Sequence, residues 1–196
     1  MTSSRALTLA DIVPPAEYAR DRKAWKQKIA AIKRDRRVEV GPYVTFYFES
    51  RDTMWHQVQE MIYIEKGGMA QAPGELAAYN PLIPNGSELT ATFMIEIDDP
   101  IRRAAVLATL GGIEASAFLR IGTETIEGVA EEDQDRTRED GKASSVQFVH
   151  FPFTPAQIAK FRATAPEIVL GFSHPRYGHM ATIAPAVRSA LATDFD

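Results

Sequence analysis

Ala115-Ser-Ala-Phe-Leu-Arg-Ile-Gly-Thr-Glu-Thr-Ile-Glu-Gly-Val129 and, beyond an acidic interruption, Val146-Gln-Phe-Val-His-Phe-Pro-Phe153 read as strands in direct succession, with no helix between them. Apolar and β-branched residues recur in both runs, and Gly122 permits a bulge or bend. Strands joined without a crossover helix pair antiparallel, whereas a doubly wound sheet requires a helix after each strand. The expected fold is therefore α+β. A single domain over residues 1–196 is expected to hold a mainly antiparallel mixed sheet of about five strands, packed with about four to five helices.

The flanking sequence agrees. In Leu89–Ile97, Leu89, Ala91, Phe93, Ile95 and Ile97 share one face, with Thr90, Thr92 and Glu96 on the other. Val38–Glu49 reads as one strand covered on both faces, and Ile168–Phe172 as the last strand. Pro15 opens a helix running to about Arg37, in which Trp25, Ile29 and Ile32 recur at i, i+4, i+7. Asp52 reads as the N-cap of a helix reaching about Lys66, where Gly67-Gly68 stops it. One helical turn at Glu75–Tyr79 lies within the loop that follows. Asp98-Asp99-Pro100 and Thr154-Pro155 open two more helices, the first apolar nearly all round and so expected to be buried. Pro185–Ala192 makes a short terminal one.

Composition excludes several classes of function. The chain has no cysteine, which removes disulfides, thiolate nucleophiles, cysteine-ligated clusters and covalent c-type haem. A divalent metal held by histidine and carboxylate stays open as a cofactor. A net charge of −4 gives no global field toward nucleic acid, and the apolar runs are too short to span a bilayer. The N-terminus has no signal-peptide core, so a cytoplasmic protein is expected. The basic residues of 20–37 are interspersed with Asp21 and Asp35 and read as a solvated helix face. Glu131–Gly141 reads as an acidic loop: Asp133 and Asp135 lack the glycine and final glutamate of a calcium hand.

Four places carry candidate chemistry. Ser173-His-Pro-Arg-Tyr-Gly-His179 follows an apolar strand and places His174, Arg176, Tyr177 and His179 in one defined turn. If His150, on its strand beside Val146 and Phe148, opened onto that loop, His174, His179 and His150 would form a metal site. Arg51 and Asp52 stand at a strand-to-helix junction, where free N–H groups and the positive dipole end favour an anion. His56 and Glu60 are four apart, but at about 100° per residue they point away from the arc of Met54, Val58, Met61 and Ile62. The same wheel puts Glu65 inside that arc. No glycine-rich phosphate loop, nucleophile elbow or zincin motif is present.

Taken together, Tyr47-Phe-Glu-Ser-Arg-Asp-Thr53, Gln57-Val-Gln-Glu-Met61, Tyr79-Asn-Pro-Leu82, Ala91–Ile97, Lys142–Phe151 and the His174–His179 loop resemble the bacterial family DUF3501 along nearly the whole chain. The resemblance carries no activity. It implies a setting beside rubrerythrin-type and iron–sulfur oxidoreductase proteins, and it draws attention to Arg51, Gln57, Glu60 and His174 rather than His56. Whether the chain is an enzyme stays open. Its expected role is that of an accessory protein that binds a redox partner or a second copy of itself, with no nucleic acid and no membrane. Arg51, Asp52, Gln57, Glu60, Arg176 and Tyr177 are the expected contact residues. Two further readings stand beside it: a small histidine/carboxylate metalloprotein or enzyme using residues 173–179, and a protein binding an anion or phosphometabolite at Arg51.

Overall fold

The computed structural model describes residues 5–131, 141–163 and 166–196. The acidic loop read at 131–141, with Asp133 and Asp135, lies outside the described residues except at its two ends. Two antiparallel sheets make the frame. In the first, β1 (Arg37–Val40), β2 (Val44–Phe48), β3 (Glu88–Ile95), β7 (Val146–Pro152) and β6 (Val129–Ala130) lie side by side in that order. The second runs β5 (Glu124–Glu127), β4 (Ala117–Ile121), β8 (Ile168–Phe172), β9 (Met180–Thr182). The α+β class and the antiparallel pairing are as the sequence predicts, but the strands divide between two sheets instead of forming one.

Gly128 explains the division. The chain leaves the second sheet at Glu127 and joins the first at Val129, while the Gly128 N–H donates to the Ala117 carbonyl. A Cβ at this position would lie 2.6 Å from the Val149 side chain and 2.9 Å from that carbonyl. Only glycine allows so close a crossing.

The period-2 alternation of β2 and β3 turns Phe46, Phe48, Ala91 and Phe93 toward the second sheet. There Phe172 of β8 meets Phe46 at 5.1 Å and Phe93 at 5.2 Å between ring centroids. Each such ring contributes roughly 1.5–3 kcal/mol by burial. The opposite face of the first sheet carries Thr45, Tyr47, Thr92, Met94, Val146 and Phe148. Against it lie α2 (Arg51–Glu65) and α3 (Ala72–Tyr79), which with Leu82, Ile83 and Phe148 form a second apolar cluster around Met54, Val58 and Leu76. Helix α1 (Pro15–Arg34) packs on α2.

Several local expectations shift. The first helix stops at Arg34, and Val38–Glu49 is a hairpin whose turn begins at Gly41, with φ +69°. Ser50, not Asp52, caps α2: its hydroxyl accepts from the Thr53 N–H, and the Thr53 hydroxyl accepts from the Ser50 N–H. Helix α3 is longer than the single turn expected. Asp99 and Thr154 cap α4 (Pro100–Leu107) and α5 (Pro155–Arg162) as read. Helix α4 is not buried, however: Leu107 is its one buried residue and Ile101 is 80% exposed. Its alanines carry little apolar area, so composition overstated the need for cover. Strand β9 and α6 (Pro185–Leu191) complete the chain after the histidine loop.

Candidate functional site

The histidine loop is the turn between β8 and β9, and it closes on the β1–β2 hairpin rather than on a cavity. Tyr177 is 3% exposed. Its hydroxyl donates to the Val40 carbonyl at 2.8 Å and accepts from the Tyr43 and Val44 N–H groups at 3.0 and 3.1 Å. The His179 ring meets Tyr177 edge-on at 4.6 Å and covers Gly41, where a Cβ would lie 2.6 Å from it. The Arg176 N–H donates to Nδ1 of His174, so Nε2 is the donor to the Gly111 carbonyl at 3.2 Å. Arg176 itself is exposed. These residue types were expected to present chemistry; here two of them fasten backbone.

His150 is far from that arrangement in its contacts. Nδ1 lies 3.2 Å from Glu88 and Nε2 2.8 Å from Glu131. The carboxylates approach opposite ring nitrogens, so the three groups do not converge on one point. Hydrogen bonding to Glu88 holds the imidazole pKa above its usual value against burial, and Glu131 adds to the effect. Among the described residues no three His, Asp or Glu side chains are placed to hold a metal ion. The structure thus does not gather His150, His174 and His179 into one metal site.

The α1–α2 seam departs most from the helix-wheel expectation. His56 and Glu60 are 9% and 8% exposed, because α1 covers the face of α2 opposite its apolar arc. Glu60 accepts from the Tyr18 hydroxyl at 2.7 Å and takes Arg22 in a bidentate grip at 2.7 and 2.8 Å. That grip, chiefly, pulls its carboxyl down to about 2. Burial lowers the His56 pKa, opposed by Glu60 and reinforced by Lys33, Lys26 and Arg22. Glu65 is exposed and accepts from Gln71. Arg51 pairs with Asp11 and Asp52 is exposed; with Ser50 as the cap, the helix start is already occupied by protein groups.

A cleft of about 400 Å³ opens between the outer face of the first sheet and the helical layer. Its formation follows from strand parity. Tyr47 and Glu49 continue the outward-facing series that starts at Thr45, and the register sets Thr92 opposite Tyr47 and Phe148 opposite Thr92. Lys33 reaches in from α1, Gln57 from α2 and Tyr79 from α3. Met54, Leu82, Met94, Val146 and Phe148 supply the apolar wall. Glu49 is 4% exposed. Its two oxygens accept from the hydroxyls of Thr53, at 2.6 Å, and Thr92, at 2.7 Å. Among the described residues no ion pair reaches the Glu49 carboxylate, although the Arg36 guanidinium donates to the Glu49 main-chain carbonyl, and the Lys33 ammonium has no hydrogen-bond or ion-pair partner. The Gln57 amide donates weakly to the Tyr79 hydroxyl at 3.4 Å. Tyr47 donates to Glu96 at 3.1 Å, and burial foremost, then the charge of Glu96, raises its phenol pKa.

Of the expected contact and metal residues, Gln57 alone lines this cleft. Glu49 was within reach of the same reasoning. Carrying the alternation of Tyr43–Phe48 one step past the strand places an acid on the face of Tyr47, where nothing local neutralises it.

The family model described as "Protein of unknown function (DUF3501)" matches residues 6–195. The chain is also similar to a crystal structure, at 1.90 Å resolution, of a protein of unknown function from Burkholderia pseudomallei K96243. The two share 36% identity and a TM-score of 0.90, over 97% of this chain and 100% of that one. No curated protein matches the chain significantly.

Proposed function

The chain belongs to the DUF3501 family, whose function is unknown, and from its own geometry we propose an accessory role in which the cleft beside Glu49 binds a small organic molecule. One observation carries this reading: a carboxylate 4% exposed, held by two hydroxyls and, among the described residues, by no cation, at the wall of an open cleft of about 400 Å³. A buried charge without a counter-charge costs several kcal/mol, roughly, unless further donors reach it. A ligand that supplies them gains that energy on binding. The volume and the mix of one apolar wall with a few convergent polar groups fit a small-molecule site.

The redox setting implied by the resemblance is retained as the context of this role. The exposed cations Arg20, Lys23 and Lys28 on α1 give an acidic partner a surface to meet. The metal and anion readings have less behind them, because the loop histidines are tied to separate partners and Arg51 is tied to Asp11.

The test is an amide NMR titration of isotope-labelled protein with a panel of small amphipathic fragments. Shifts are expected to cluster at Gln57, Tyr79, Thr92 and Phe148, and to disappear when Met54→Trp fills the cleft. Shifts confined to other surfaces, or persisting in a folded Met54→Trp variant, would remove the reading.

A further inference from the structure

We infer that the ligand of this cleft is a small amphipathic zwitterion of the amino-acid type, its ammonium at Glu49, its carboxylate at Lys33 and its apolar body against Leu82 and Phe148. The inference rests on the binding role proposed above and adds the charge pattern of the ligand.

Two opposite charges in one cleft normally neutralise each other, and here they do not. Glu49 is fixed at the base by Thr53 and Thr92, both held within or beside regular structure. Lys33 rises from the last turn of α1, half-buried, and its ammonium forms no ion pair with Glu49. Each therefore lacks the partner that the other could have been. A single cation would satisfy Glu49 and leave Lys33 facing another positive group; a single anion would do the reverse. A molecule with both charges satisfies both at once. An ammonium offers three donors to a carboxylate that already accepts two hydroxyls, and a carboxylate accepts from Lys33. The amide of Gln57 and the hydroxyl of Tyr79 add neutral hydrogen-bonding groups on the helical side. Leu82, Met54 and the Phe148 ring form a wall that a purely polar zwitterion would leave wet.

The Glu60 site is different in kind. There Arg22 and Tyr18 already satisfy the carboxylate from within the chain, so it has no comparable demand for a ligand.

Calorimetric titration of the whole chain with three matched probes tests the assignment: L-phenylalanine, 2-phenylethylamine, which lacks the carboxylate, and 3-phenylpropionate, which lacks the amine. L-Phenylalanine is expected to bind at least about tenfold more tightly than either singly charged probe. Glu49→Gln should weaken L-phenylalanine and 2-phenylethylamine by about tenfold and spare 3-phenylpropionate, while Lys33→Met should show the converse pattern. The comparison of probes on the unaltered protein needs no variant to fold. If either singly charged probe binds within about tenfold of L-phenylalanine, or if L-phenylalanine does not bind, the zwitterion assignment is wrong. Fragment shifts at Gln57 and Phe148 that vanish in Met54→Trp would still uphold the cleft in that case, so the two readings fail separately.

Discussion

His150 is gripped by Glu88 of β3 on one ring nitrogen and by Glu131, just past β6, on the other. Both bonds need the imidazole to donate, so folding favours the protonated ring and its pKa lies above the usual 6.5. The direction fixes the pH dependence. The stabilisation is complete below the unfolded value near 6.5 and fades as pH rises through the higher folded value. Urea unfolding should therefore find His150→Gln less stable than the parent by about 1.5 kcal/mol at pH 5.5, with a smaller gap at pH 8.5. A gap that does not change with pH would mean the ring is not charged in the folded chain. Glu60 shows the opposite displacement for the same reason: Arg22 and Tyr18 bind its ionised form. Residue identity alone told neither story, since Glu60 depends on partners 38 and 42 positions away and His150 on partners 19 and 62 positions away.

At the scale of elements, the histidine turn between β8 and β9 acts as a clasp on the β1–β2 turn. Tyr177→Phe leaves the Val40 carbonyl and the Tyr43 and Val44 N–H groups without their partner, and should cost about 1–3 kcal/mol by chemical denaturation. A loss below about 0.5 kcal/mol would show that water replaces the hydroxyl without penalty. Helix starts were legible because their signals are local: Asp99 before Pro100, Thr154 before Pro155, Pro15 opening α1. The turn at Gly41 was masked because apolar residues continue on both sides; Gly41-Pro42 was the local signal for it, and both the φ of +69° and the approach of His179 require glycine there. The cleft was less legible still. Lys33, Glu49, Gln57, Tyr79, Thr92 and Phe148 come from α1, the β2–α2 junction, α2, α3, β3 and β7, and no spacing within one element joins them.

At the scale of the molecule, the first sheet is shared by two apolar clusters, one against the second sheet and one against the helices. Both faces being covered explains why Tyr43–Phe48 carries apolar groups on both of its faces. Phe172 links the sheets through Phe46, Phe93 and Tyr177. Phe172→Ala is expected to cost about 3–5 kcal/mol and to lower amide protection in β2, β3 and β8 together, as read by hydrogen exchange. Loss of protection limited to β8 would show that the two sheets unfold independently.

The clasp also bears on the order of events during folding. Tyr177 meets Val40 across 137 residues, so the β1–β2 turn forms long before the group that ties it down can arrive. A contact of such separation carries a large closure entropy, and it is expected to consolidate after the rate-limiting barrier. On that expectation the tie governs how long the finished molecule persists before it opens: Tyr177→Phe should speed unfolding while leaving the folding rate nearly unchanged, and an equal slowing of folding in stopped-flow measurements would contradict it.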